Sequence, residues 1–205
     1  MRARIVGAAA HLFAEVGYEA TTMAAVAERG ETSIGNVYKY FQNKEALLDA
    51  VLPEEFAKDL QQRTRERVRA LGTARDVREL PSSSRYHVLA GDLLEHCIAH
   101  RERIAILFAR SRGTPFEAFG RDFTKALVGW ALDYARDAYP GFRASGPLRF
   151  TLDRVYASFL ASLGAAFTTF EKDADIREAV FDLTAHHQGG LKRLFEAVHE
   201  GRESS

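Results

Sequence analysis

Residues Thr22 to Lys44 read TMAAVAERGETSIGNVYKYFQNK, and two short helical patterns meet there across a tight polar turn. The first, Thr22 to Arg29, sets Met23, Val26 and Ala27 on one side. The second, from about Ser33 to Tyr40, turns Val37 and Phe41 inward and leaves Ser33, Ile34, Asn36, Lys39 and Tyr40 facing out. Two helices of about two turns each, joined by a 3–4-residue turn, describe a helix-turn-helix unit. The second helix of such a unit is the one that enters a DNA major groove.

Upstream, Ile5, Val6, Ala9, Leu12, Phe13 and Val16 recur at helical spacing until Gly17 stops the run. Thr21 or Thr22, then Thr32 or Ser33, then Asn43 supply hydroxyl or amide caps for the three helices that follow. The fourth opens Lys44-Glu45-Ala46-Leu47-Leu48 and meets Pro53, where a kink or short break is expected. Pro53-Glu54-Glu55 is also a natural first turn for the next helix, with acid at its positive end.

These elements carry a resemblance. The stretch Ile5 to Leu52 resembles the amino-terminal DNA-binding domain of the TetR family of transcriptional regulators. The matching pieces run in order: LFAEVGYEATT, AAVAERG, SIGNVYKYF and NKEALLDAVL. One departure stands out. The family has Ala-Gly-Val before the serine, whereas this chain has Gly30, Glu31 and Thr32, a carboxylate where a small permissive residue is usual. The geometry of that turn is therefore a question for the structure.

The resemblance implies residues 1–52 as the DNA-binding domain and 53–205 as an effector-binding and dimerisation domain, with Pro53 as a possible hinge at their joint. Ser33, Ile34, Asn36 and Lys39 then become candidates for reading base edges, and Gly35 lets the helix backbone approach the duplex. Thr22, Tyr38, Tyr40 and Lys44 match the family's phosphate-contacting positions. The alternative for Tyr38 and Tyr40 is that they are core aromatics.

Beyond Pro53, Phe56, Leu60, Val68 and Leu71 continue an apolar stripe, and Gly72 to Ser84 is loop-like. Helix resumes with Tyr86, Leu89, Leu93 and Cys97, with Arg101-Glu102-Arg103 as a candidate break before Ile104, Leu107 and Phe108. Thr114-Pro115-Phe116-Glu117 combines a capping box with an early proline, so a helix is expected from there to Tyr139. Two long patterns follow, Leu148 to Glu171 and from Asp175 onward. No strand alternation and no internal repeat are present, so the class is all-α, with about nine helices.

Composition narrows the function. Lys+Arg and Asp+Glu are both 28, so net charge is +0. Residues 1–52 hold five basic and six acidic side chains, which fits modest non-specific affinity for DNA, with contacts made by helix starts and a few placed residues. The lone Cys97 excludes an intrachain disulfide framework and suits a reducing cytoplasm. No signal peptide precedes the first helix, and no apolar run reaches the ~18 residues of a membrane span, so a cytoplasmic protein without membrane partners is expected.

Phosphate loop, nucleophile elbow and HExxH are missing, so no enzyme is expected. His96 and His100 have zinc-compatible spacing but no third ligand nearby in sequence, and they are read as ordinary core or pocket histidines; no metal or cofactor is expected. A cavity in the aromatic bundle, with Asp92, His96, Phe108, Phe119, Phe123, Trp130 and Tyr156 around it, is the candidate effector site. The two terminal helices, apolar on more than one face, suggest a two-fold four-helix bundle between subunits, with Phe159, Leu163, Phe167, Leu183, His187, Gly190, Leu191 and Leu194 at the interface. The resemblance thus implies double-stranded DNA, a second copy of the chain and a small-molecule effector as partners. It points to a dimeric repressor released from an inverted repeat. The alternatives are a regulator without ligand control, or an α-helical enzyme using the histidine-bearing pocket.

Overall fold

The computed structural model describes residues 1–203, and among them there is helix and no strand. Ten α-helices run in order: α1 (Arg2–Glu15), α2 (Met23–Arg29), α3 (Ile34–Tyr40), α4 (Lys44–Val51), α5 (Glu54–Arg69), α6 (Arg85–Ala99), α7 (Arg101–Ala109), α8 (Phe119–Ala138), α9 (Gly146–Thr169) and α10 (Asp173–Glu203). The all-α expectation holds. The tenth helix comes from the break at His100, which ends α6 and caps α7. No described helix is long and apolar enough to cross a membrane.

Local chemistry sets the boundaries. Thr22 accepts from the Ala25 amide, Ser33 from Asn36 and Asn43 from Ala46, so each short amino-terminal helix starts on its own side-chain cap. Leu52 closes α4 and Pro53 sits at the N-cap of α5 with φ −63° and ψ 148°, an extended step that breaks the helix for two residues. The Gly72–Ser84 stretch is loop apart from one 3-10 turn at Val77–Glu79, capped by Asp76.

One boundary corrects the sequence reading. The Thr114–Glu117 motif forms: Thr114 Oγ1 accepts from the Phe116 amide and the Glu117 carboxylate accepts from Gly113. Yet α8 begins only at Phe119. The backbone from Ser111 to Phe119 instead makes successive three-residue closures, Thr114 to Ser111, Glu117 to Thr114 and Phe119 to Phe116. The capping chemistry stabilises a run of tight turns rather than a helix.

The core is continuous across residue 52. Ile5, Phe13, Val26, Val37, Leu47 and Leu48 belong to the same buried cluster as Ile98, Ile104, Ile106, Leu107 and Phe167. A second cluster, from Phe123 to Phe195, fills the space among α8, α9 and α10. Helix α7 packs on α1, α8 and α9, and so joins the amino-terminal unit to the larger bundle.

Candidate nucleic-acid interface and effector cavity

Helix α3 is anchored by one residue. Val37 is fully buried, Phe41 follows it into the core, and the remaining side chains of α3 are exposed or half-buried. Ile34, Tyr38 and Tyr40 are 47%, 50% and 42% exposed, which removes the alternative of core aromatics. Thr22, Ser33, Gly35 and Lys39 are exposed as well, so seven of the nine residues expected to meet DNA stand on the surface at the start of α2 and along α3. Asn36 is half-buried, and its Nδ2 donates to Thr32 Oγ1 at 3.0 Å, which leaves its amide oxygen and the second Nδ2 proton for other partners.

Lys44, expected at a phosphate, is turned inward. Its Nζ donates to the carbonyls of Tyr18 at 2.7 Å, Glu19 at 3.2 Å and Thr21 at 2.9 Å, and lies 4.4 Å from the Tyr18 ring centre. An ammonium has three protons, so none is left for phosphate. The turn after Gly17, which has φ 88°, points three carbonyls at one spot, and Lys44 satisfies them.

The turn between α2 and α3 answers the question posed by Gly30-Glu31-Thr32. The Thr32 amide donates to Ala27 O and the Glu31 amide to Glu28 O, the paired bonds of a Schellman closure, with Glu31 at the left-handed position, φ 44°. Glycine is not there because it is needed one place earlier. A Cβ on Gly30 would lie 2.9 Å from the Val26 carbonyl of α2, so the tight end of α2 claims the glycine, with the Ala8 Cβ in ordinary contact at 3.6 Å. Arg4 Nη2 donates to the Glu31 carbonyl at 2.9 Å and ties α1 to the turn.

A mainly apolar cavity of about 380 Å³ lies among α5, α6, α7, α8, α9 and α10, within the ~300–1,000 Å³ typical of small-molecule sites. Of the seven residues expected to line it, Phe108 and Phe123 do. Tyr156 lines an adjoining cavity that shares Tyr86 and Gln188 with the first. Phe119 and Trp130 stand behind Phe123, with ring centres 5.4 and 6.1 Å from it. Asp92 is exposed on α6.

His96 faces elsewhere: it stacks on Phe56 at 5.3 Å, with His100 at 4.9 Å and Asp59 Oδ2 at 3.6 Å. Burial, and then the nearby arginines, push both histidines below their ordinary range. Among the described residues no group of three His, Cys, Asp or Glu side chains is arranged to hold a metal. Cys97 lines the cavity, and burial pushes its thiol up to about 12, so it acts there as an apolar wall.

Sequence reasoning missed the cavity's polar end. Arg67 Nη2 donates to Tyr86 Oη at 2.8 Å, and Gln188 Nε2 bonds the same oxygen. The signal was present: Leu60, Thr64 and Arg67 lie at i, i+4 and i+7 on α5, so an arginine occupies an apolar stripe.

The residues expected at a dimer face lie mostly within the subunit. Phe159, Leu163 and Phe167 line the cavity; Phe159 stacks at 4.1 Å on His187, and Phe167 is buried. Leu191 and Leu194 pack on the intrachain core, and Leu183 is half-buried; of the eight, only Gly190 is exposed. Outward on α9 stand Arg154, Ser158, Ala161 and Ala165, and on α10 Phe181, Ala185, Gly189 and Gly190. Most large apolar side chains of α9 and α10 fill the single subunit, while the outward faces carry small residues together with the exposed rings of Phe150 and Phe181.

Residues 5–51 match the family model for bacterial regulatory proteins, tetR family. That match covers the amino-terminal helices α1 to α4 and stops before Pro53. It is 30% identical over 89 residues, 43% of this chain and 45% of the relative, to the fatty acid metabolism regulator protein of Bacillus subtilis (strain 168). It is 46% identical over 55 residues, 27% of this chain and 26% of the relative, to the HTH-type transcriptional repressor KstR of Rhodococcus jostii (strain RHA1). The matches thus span less than half the length of these curated relatives. Among solved structures, the TetR family protein CprB from S. coelicolor A3(2) aligns over 97% of both chains at 21% identity, with a TM-score of 0.47.

Proposed function

We propose that this protein is a homodimeric repressor that reads an inverted-repeat operator and is released by a small molecule held in its bundle. The observation that carries the reading is the pairing of an exposed reading helix with a cavity in one continuous core. Residues 1–52 form the DNA-binding domain and 53–205 the effector and dimer domain, the break at Leu52–Pro53 serving as their joint. The last two residues of that second segment lie outside the described residues.

In this reading Ser33, Ile34, Asn36 and Lys39 face base edges, and Gly35 admits the backbone. Thr22, Tyr38 and Tyr40 reach phosphates. The dimer forms through the outward faces of α9 and α10, where Ala161, Ala165, Gly189 and Gly190 allow close helix approach. Half-site centres then lie about one helical turn, ~34–36 Å, or a multiple apart. An effector that weakens operator binding tenfold must prefer the released form by ~1.4 kcal/mol. The regulator works in the cytoplasm, where Cys97 stays reduced.

Selection of bound fragments from a random DNA library at about 0.15 M salt tests the proposal. An inverted repeat bound by two chains is the expected result. Binding that is sequence-independent and disappears as salt rises would overturn it.

A further inference from the structure

The one Asp, Glu, Lys or Arg side chain lining the 380 Å³ cavity is Arg67, and it has no acidic counterpart there. Its Nη2 donates to Tyr86, its guanidinium sits 5.0 Å from the Tyr86 ring centre, and its Nε is buried with no acceptor. Among the described residues no carboxylate comes within 4.0 Å of it. The nearest acids along α5 are turned to other partners: Glu66 accepts from Gln62, and Asp59 pairs with Arg63 at 2.7 Å. His187, buried beside this end, cannot supply a negative charge; burial first and then Arg67 push it down to about 4, so it stays neutral. Beyond the Arg67–Tyr86–Gln188 cluster the walls are Leu93, Leu94, Cys97, Phe108, Phe123 and Leu163.

An unpaired guanidinium donor in a largely apolar wall is the most costly group in such a site to leave unsatisfied. A neutral apolar ligand would leave it so, and a multiply charged one would have no second cation along these walls. We propose that the cavity takes an apolar carboxylic acid, its carboxylate on Arg67 and its hydrocarbon body among the leucine and phenylalanine side chains. Arginine suits this role because its planar donors match the two oxygens of a carboxylate. The inference rests on the reading of the cavity as an effector site and gives that effector its chemistry.

Calorimetric titration of the intact protein with decanoate and with decan-1-ol separates head group from tail. Wild type is expected to bind decanoate at least tenfold tighter than the alcohol. R67M should bring the two ligands to parity, and R67K, which keeps the charge but loses the planar fork, should fall between. Equal binding of acid and alcohol by wild type, binding of neither, or an undiminished acid preference in R67M would each overturn the proposal. Should R67M fail to fold, judged by its thermal transition, the wild-type ratio and R67K still decide. Operator affinity measured with the same ligands keeps the two readings apart. Decanoate that binds without changing operator affinity would sink effector release and leave the carboxylate site standing. Release by decan-1-ol alone would do the reverse.

Discussion

Replacing Glu31 by glycine should make this protein more stable. Glu31 closes the α2–α3 turn at φ 44°, a conformation that disfavours residues bearing a Cβ by roughly 1–2 kcal/mol. Glycine removes that strain but adds freedom to the unfolded chain, a counter-effect of about 0.4–1 kcal/mol. The net gain is therefore ~0.5–1 kcal/mol, or about 1–4 °C in melting temperature for a chain of this size. No partner is lost, because the turn uses only Glu31's backbone: its amide donates to Glu28, and its carbonyl accepts from Arg4. Removing an exposed carboxylate next to Ser33 should also tighten binding to all DNA alike, by about twofold, the size of one screened surface charge. Differential scanning calorimetry of Glu31→Gly beside Glu31→Ala isolates the cause, since alanine removes the charge and keeps the strain. Equal stabilisation by both variants, or none by glycine, would refute the argument from backbone strain.

Other perturbations follow from the same geometry. A Cβ on Gly164 would lie 2.8 Å from the Phe108 Cβ and 3.1 Å from its backbone carbon, so Gly164→Ala overpacks the α7–α9 contact by ~1–3 kcal/mol. Better helix propensity offsets about 1 kcal/mol of that, and a lower urea midpoint at unchanged slope is expected. Lys44→Met leaves three carbonyls unpaired, and the expected loss is about 2 kcal/mol of stability; unchanged stability with a DNA salt slope reduced by about one would instead restore Lys44 as a phosphate contact. Asn36→Ala should relax preference at particular base pairs by ~1–3 kcal/mol each, and equal losses on operator and random DNA would remove it from base reading.

His187, neutral in the fold and pushed down to about 4, contributes stability that is fully present above about pH 6.5 and is lost as pH falls toward 4, about 3 kcal/mol in all. Urea titrations across that window should show the decline, and His187→Phe, which keeps a ring against Phe159, should flatten it. The shifts of His96 and His100 run in the same direction and leave a residual slope.

Local signals were legible in the sequence where one residue decides one bond. Thr22, Ser33 and Asn43 cap the helices they precede, and Pro53 breaks the chain where its missing amide requires. Glu31 and Gly30 were legible as an anomaly but not as a solution, because the clash with the Val26 carbonyl depends on how tightly the end of α2 closes. The direction in which the apolar faces of α9 and α10 turn was hidden for a related reason. Periodicity marks Phe159, Leu163 and Leu194 as apolar, but it does not say whether the apolar face meets its own subunit or another. Most large side chains of α9 and α10 find partners within the chain, so the outward faces are left with small residues and the exposed rings of Phe150 and Phe181. Arg67 was hidden by its charge: on a helix with this many basic residues, one cation on the apolar stripe does not stand out until the cavity is seen.

How a ligand in the bundle reaches the reading helix can be argued from α7. Phe108, near its carboxy end, lines the cavity, and Gly164 presses on that same residue from α9. The turn that follows α7 touches the amino-terminal unit: Arg112 lies 3.7 Å from the Glu19 carboxylate, and a Cβ on Gly113 would meet the Glu19 side chain at 2.7 Å. Glu19 belongs to the turn whose carbonyls Lys44 gathers, and Lys44 opens α4. At the other end of α7, Glu102 lies 3.5 Å from His11 on α1. A ligand body that displaces Phe108 therefore meets no slack at Gly164, and the displacement passes along α7 to α1 and to the Gly17–Thr21 turn. Packed interiors shift as units rather than deform continuously. On this argument the bundle and the reading head move together through α7 and its flanking turn, and the step at Pro53 only permits the movement.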